Sequence, residues 1–149
     1  MHKTILSIRQ LLCYMLFDSQ NVFDTAIGKE HRMEVREEQG FSILDMDPYV
    51  AKDSVPGICE QLDPSLKEEG KEYILDMWEA KTLNSSMASV IVHMIKQITQ
   101  AKSTLHIVNV TQNVLNALQT LHLTDMVKVY ETALDFEIDK GTEVKSIMH

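Results

Sequence analysis

The chain has 149 residues and a mass of 17.0 kDa, the size of one ordinary domain. Its composition, 44% hydrophobic and 24% charged, excludes the collagenous, low-complexity and disordered classes. A formal charge of −8 disfavours nucleic acid as a partner, because the field of the whole protein repels phosphate. Two cysteines, Cys13 and Cys59, are too few for a disulfide scaffold, so a reducing, cytoplasmic setting is favoured.

The first 32 residues contain the most apolar stretch, Ile5–Phe17, and we treat residues 1–32 as an N-terminal extension. The stretch is shorter than the ~20 residues of a membrane span, and no small-residue cleavage site follows it. We therefore predict no membrane span and no secretory signal. The pattern predicts an amphipathic helix that docks on the domain, on a second copy in a homo-oligomer, or on a membrane surface. The natural start stays open between Met1 and Met33.

From residue 33 onward the sequence alternates strand and helix patterns. Apolar alternation on both sides of Gly40 predicts a hairpin of Met33–Gln39 and Phe41–Asp47. Further strands are predicted at Tyr73–Trp78, Leu105–Val110 and Met126–Tyr130. Helices are predicted after an N-cap at Ser54, with a break or kink at Pro64, over Ser85–Ala101, and after an N-cap at Thr111. Short connections between alternating strands and helices imply mainly parallel pairing, so the fold class is α/β.

One helical stripe predicts a large part of the core. It consists of Met87, Ile91, Met94, Ile95 and Ile98. We also expect Trp78 and Met126 to pack inside the domain. Residues 137–149 are polar, which predicts a short terminal helix or a tail beyond a domain that spans residues 33–136.

The usual catalytic motifs are absent: the chain has no phosphate loop, nucleophile elbow, HExxH or paired CxxC. The histidines share no metal-ligand spacing, so neither a metal site nor a cofactor is predicted. If the protein were an enzyme, Asp76 with His93 or His106 would be its candidate residues. Each of the three has a simpler explanation as a packed or surface residue, and we predict a non-catalytic protein.

The segment 74–89 places an apolar strand, a polar loop and two serines at the start of a helix, in the order ILDMWEAKTLNSSMAS. This segment resembles the STAS domain family, typified by bacterial anti-sigma-factor antagonists, whose signature is a Leu-Asp-Leu strand followed by Asp-Ser-Ser-Gly at a helix start. The downstream strand, helix and strand are similar in order and spacing, and Asp47–Ala51 resembles the family's partner-binding loop. The resemblance covers about residues 34–136. It implies a mixed, mainly parallel sheet of four to five strands with helices packed on it.

The resemblance also implies a phosphorylation switch in signal transduction and transcription regulation. In the family the first serine of the signature is phosphorylated by a partner serine kinase, which is also an anti-sigma factor, and is dephosphorylated by a serine phosphatase. This implies Ser85 as the acceptor. Together with the loop residues Asp47 and Tyr49, the neighbouring residues Asn84, Ser86 and Met87 would form the partner-binding surface.

Three departures from the signature concern this same corner: Asn84 replaces the acid, Met87 replaces the glycine after the two serines, and Ser89 replaces another glycine. Ser85 has a structural alternative as a helix N-cap, a role that Asn84 can also take. The alternative function is a STAS scaffold that is never phosphorylated, or a subunit of a larger stress-signalling or transport complex. In that case the N-terminal helix mediates assembly.

Overall fold

The computed structural model describes Met33 and residues 35–149, so the predicted N-terminal helix lies outside the described residues. Five strands form one sheet: β1 Val35–Glu38, β2 Phe41–Asp45, β3 Glu72–Asp76, β4 Thr104–Val108 and β5 Lys128–Tyr130. They lie side by side in chain order. The pair β1 and β2 is antiparallel, and the three remaining pairs are parallel. This confirms the predicted α/β class and the mixed, mainly parallel sheet.

The β1–β2 hairpin forms at the position that the sequence predicts. Gln39 and Gly40 both have positive φ angles, of 54° and 82°. Two consecutive positive φ values are the geometry of the tight turns that match the twist of a hairpin, and glycine adopts this conformation at little cost. The turn sets the register in which Val35 pairs with Leu44.

Four helices connect or follow the strands: α1 Val55–Leu66, α2 Ser85–Gln100, α3 Gln112–Thr120 and α4 Ala133–Lys140. Thr111 caps α3 as predicted, because its hydroxyl accepts the backbone N–H of Val114 at 3.3 Å. Within the described residues, no helix is long and apolar enough to cross a membrane.

The sheet has a separate core on each face. The main core contains the buried residues of α1, α2 and α3 together with Leu44, Leu75 and Ile107 of the central strands. The predicted α2 stripe is buried there in full, which confirms that prediction. The second core lies on the opposite face, where Phe136 of α4 packs against Phe41 at a ring-centroid distance of 5.3 Å.

Four local predictions were wrong in whole or in part. Of the break or kink predicted at Pro64, the break does not occur, because Pro64 lies in the last turn, where the loss of one hydrogen bond leaves the helix continuous to Leu66. Helix α1 begins directly after Ser54, as predicted, but the Ser54 side chain makes no capping hydrogen bond. Met126 is 67% exposed, since a 3₁₀ turn at Leu123–Asp125 delays the start of the last strand to Lys128. Trp78, which we also expected inside the domain, is 43% exposed, because β3 ends at Asp76 and Trp78 lies in the loop that follows.

The C-terminal residues, for which we predicted a short helix or a tail, are packed onto the domain. They contain the end of α4 and a 3₁₀ turn at Lys145–Ile147. Val144 and Ile147 are buried in the second core together with Phe136. The last residues of the chain therefore lie close to the carboxyl ends of β3 and β4, where Asn109 donates to the carbonyl oxygen of Ile147 at 2.8 Å.

Candidate functional site

Asn84 and Ser85 begin helix α2 and have different roles. The side-chain oxygen of Asn84 accepts the backbone N–H of Met87 at 2.8 Å, so Asn84 is the N-cap. Ser85 is the first helical residue and is exposed. Of the two roles considered for Ser85, capping is therefore taken by its neighbour.

The loop after β2 lies against this same corner. The side-chain amide of Asn84 donates to the carbonyl oxygen of Val50 at 3.2 Å, although the two residues are 34 positions apart in the chain. Within the loop, the carboxylate of Asp47 accepts the backbone N–H of Tyr49 at 2.9 Å, and Tyr49 is 65% exposed. The fold thus brings together the two segments in which we predicted a partner surface.

The two residues after Ser85 differ in their exposure. Ser86 is half-buried. Met87 is only 1% exposed and belongs to the main core. Met87 begins the i, i+4, i+7 stripe of α2 that faces the sheet, which explains why it packs inside rather than at the surface where we expected it. Its long side chain therefore does not cover Ser85.

An apolar groove of about 660 Å³ passes beside Ser85. Its walls include Ala88 and Val92 of α2 and Leu121 at the end of α3. Val92 and Leu121 are both 48% exposed. No charged side chain is found among the described residues that line this groove. Ser85 is one of four polar residues, with Asn84, Ser89 and Thr120, that line this uncharged and otherwise apolar groove.

The groove has an extension along α2. Val92 also lines a second groove, of about 490 Å³, whose other walls include Lys96, Leu123 and Met126. The exposure of Met126, which contradicts its predicted packing, thus adds apolar surface next to α2. Contiguous exposed apolar surface of this kind is typical of sites where proteins interact.

The residues considered for an enzyme do not meet. His93 Nε2 lies 2.6 Å from Asp63 on α1, and His106 Nε2 lies 3.3 Å from Glu72 at the start of β3. Burial lowers the pKa of His106, although its hydrogen bond to Glu72 acts in the opposite direction.

Asp76 lies at the other end of β3 and is buried. Its carboxylate accepts hydrogen bonds from the backbone N–H of Trp78 and from the side chain of Asn109, both at 3.0 Å. His149 Nε2 lies 2.7 Å from the second carboxylate oxygen. The partners of Asp76 are therefore groups that the sequence analysis did not connect with it.

The family model of the STAS domain matches residues 32–135. This match covers most of the chain and includes β1 to β5, α1 to α3 and the Asn84–Ser85 corner. The chain belongs to the STAS domain family. The resemblance read from the 74–89 segment is thereby confirmed.

Solved structures of STAS proteins share the fold. An anti-sigma-factor antagonist (STAS) domain protein from Planctomyces limnophilus is 14% identical, with a TM-score of 0.64 over 75% of this chain and 100% of that one. A crystal structure from Thermotoga maritima, provisionally described as an anti-sigma factor antagonist, is 15% identical, with a TM-score of 0.56 over 74% of this chain and 95% of that one. An NMR structure of the same protein is 17% identical, with a TM-score of 0.62 and coverages of 76% and 90%.

Among curated proteins, none has a sequence that matches this chain. At identities of 14–17%, these solved structures show a shared fold. They identify no particular partner.

Sequence analysis of this STAS domain missed two residues that contact Asp76, namely Asn109 and His149. Asn109 follows β4 directly and has a φ of 61°, and a polar residue at the carboxyl end of an interior strand is a signal that could have pointed to it. His149 is 73 positions from Asp76, and no local pattern connects the two.

Proposed function

We propose that this STAS protein is a non-catalytic, cytoplasmic regulator that acts as an anti-sigma-factor antagonist. In this proposal it binds a serine kinase that is also the anti-sigma factor, and phosphorylation of Ser85 ends the binding. A serine phosphatase restores the unmodified form. The observation that carries the proposal is an exposed Ser85, outside the helix cap, on the wall of an apolar and uncharged groove.

The position of Ser85 suits a phosphate in two ways. The first turn of α2 has backbone N–H groups without helical partners and the positive end of the helix dipole, both of which favour an anion. A phosphate adds a charge of about −1.5 to −2 to the surface. Because the lining of the groove is uncharged, this charge would have to be desolvated by any partner that covers the corner. Binding can therefore be switched without refolding of the domain.

Two departures from the family signature are compatible with this switch. Asn84 accepts the N–H of Met87 as an aspartate would, so the loss of the acid leaves the cap in place. The side chain of Met87 is buried and leaves the acceptor accessible. The proposed partner surface consists of Ser85, Asn84 and half-buried Ser86 with the Asp47–Tyr49 loop, and it excludes Met87.

Phosphopeptide mass spectrometry of the protein from its own cells tests the modification. The tryptic peptide Thr82–Lys96 contains Ser85, Ser86 and Ser89, and its fragments distinguish the three. We expect phosphate on Ser85 in amounts that change between growth and stress. A well-covered peptide without modification in every condition would contradict the switch and favour the STAS scaffold or assembly subunit.

A pair of variants tests the effect on binding. Ser85→Ala keeps the surface neutral and is expected to bind the kinase as the unmodified protein does. Ser85→Asp introduces a charge and is expected to weaken binding at least ten-fold, about 1.4 kcal/mol. Asn113→Asp is the control, since Asn113 is exposed on α3, lines neither groove and gains the same charge, so this variant should bind as the unmodified protein does. Equal affinity of Ser85→Ala and Ser85→Asp for the kinase would contradict the proposal.

A further inference from the structure

A buried carboxylate holds the side chain of His149 in place at the carboxyl end of β3. The side chain of Asp76 is 1% exposed. One of its oxygens accepts the N–H of Trp78 and the amide of Asn109, and the other lies 2.7 Å from His149 Nε2. An ionised carboxylate can only accept, so the imidazole donates an N–H to it.

The face of the same imidazole lies against an indole. The rings of His149 and Trp78 are stacked, with centroids 4.8 Å apart and planes 10° apart. The Lys81 ammonium lies 4.1 Å from the centroid of the Trp78 ring. The imidazole is therefore fixed at its edge by a hydrogen bond and on its face by stacking. This combination recognises a planar heteroaromatic ring with an N–H group.

The segment that carries His149 is held by other residues. Val144 and Ile147 are buried in the second core, and the Ile147 carbonyl accepts an N–H of Asn109 at 2.8 Å. The backbone N–H of Ser146 donates to Glu38 at 3.3 Å. Removal of the imidazole should therefore leave the segment in place and the site open. An adjoining cavity of about 340 Å³, lined in part by Trp78, Lys81 and His149, connects the ring to solvent.

We propose that Asp76, Asn109 and Trp78 form a binding site for an imidazole-type ring bearing an N–H, and that His149 occupies this site from within the chain. A free ring of the same chemistry replaces the His149 side chain. Trp78 belongs to the loop that leads from β3 to Asn84, so a ring bound in this site also holds that loop in place by stacking on Trp78. The proposal does not depend on phosphorylation of Ser85.

The test uses full-length His149→Gly and free imidazole at pH 8.5, about two units above the ordinary pKa of an imidazole. Trp78 is the single tryptophan of the chain, so its fluorescence reports this site alone. We expect a saturable change in emission with a dissociation constant on the order of millimolar, as for a ligand of five non-hydrogen atoms. The unsubstituted protein should require at least ten-fold more imidazole, since its own ring competes at a high effective concentration.

Two controls separate recognition from collisional quenching. N-methylimidazole is neutral at this pH and has no N–H, so it should bind His149→Gly at least ten-fold more weakly; equal binding of the two compounds would overturn the proposal. The double variant Asp76→Asn with His149→Gly should lose saturation while its far-ultraviolet circular dichroism stays that of the single variant. A change in Trp78 emission that rises linearly with imidazole concentration, without saturation, in folded His149→Gly would also overturn the proposal. The comparison with N-methylimidazole tests the proposal even if the double variant does not fold.

Discussion

The side-chain oxygen of Asn84 accepts the backbone N–H of Met87, while its amide group donates to the carbonyl oxygen of Val50. A single side chain thereby caps α2 and fixes the loop that contains Asp47 and Tyr49. An aspartate could make the first of these contacts and, when ionised, not the second.

The first prediction separates these two contacts by substitution. Asn84→Ala should lower the free energy of unfolding by about 1–2 kcal/mol, because a cap and a second hydrogen bond are lost. Asn84→Asp should recover part of this loss, because the cap acceptor is retained. Urea denaturation measures both variants, with Ser85→Ala as a control expected within about 0.5 kcal/mol of the unsubstituted protein. An Asn84→Ala variant with an unchanged free energy of unfolding would show that the cap does not stabilise the helix.

A second prediction concerns the C-terminal helix, α4. Phe136 is fully buried against Phe41 and His106, whereas Ile138 on the same helix is 73% exposed. Phe136→Ala should cost about 3–5 kcal/mol of stability, and Ile138→Ala should stay within about 0.5 kcal/mol. Thermal and urea unfolding of this matched pair measure the difference. Similar, small losses in both variants would mean that α4 does not contribute to the stability of the domain.

A third prediction concerns the contact between β3 and the end of α1. The buried phenol of Tyr73 donates to the carbonyl oxygen of Ser65 at 2.6 Å, and this carbonyl belongs to the last turn of α1, where helical partners run out. Tyr73→Phe keeps the ring and removes the donor, so we expect a loss of about 1 kcal/mol. Urea denaturation measures the loss: the midpoint should fall, while the dependence of the free energy of unfolding on urea concentration stays that of the unsubstituted protein. An unchanged midpoint would indicate that water satisfies the carbonyl equally well.

The sequence predicts those elements whose cause is local. Apolar alternation around Gly40 predicts the hairpin, and the stripe from Met87 to Ile98 predicts the face of α2 that is buried. Tertiary context decides the rest. Pro64 is tolerated because it lies in the last turn of α1. The late start of β5 depends on a 3₁₀ turn that the spacing of apolar residues does not predict.

The candidate site shows the same division. Asn84 and Ser85 are neighbours in the chain, so their place at the start of α2 follows from the sequence, and the observed geometry only decides which of them is the cap. The contact of Asn84 with Val50 spans 34 positions and that of Asp76 with His149 spans 73. Contacts of this length depend on the sheet register and on the path of the C-terminal segment, which pattern analysis does not provide.

The last prediction is a pH dependence that arises from His106. Its imidazole is 2% exposed, its Nδ1 has no hydrogen-bond partner in the described part of the chain, and the rings of Phe41, Tyr130 and Phe136 surround it. Burial lowers the pKa of His106, the hydrogen bond and negative charge of Glu72 oppose the shift, and the positive charges of Lys140 and Lys128 add to it.

Because the pKa of His106 is lower in the folded state, the unfolded chain binds more protons in the window below about pH 6.5. The free energy of unfolding should therefore fall as the pH is lowered through that window, and His106 should contribute no slope above it. Urea denaturation between pH 8 and pH 5.5 measures the slope, and His106→Gln, which does not titrate, should show a shallower one. The other histidines are present in both proteins, so the difference between the two curves isolates His106. Identical slopes would mean that this imidazole is protonated as readily in the folded protein as in the unfolded chain.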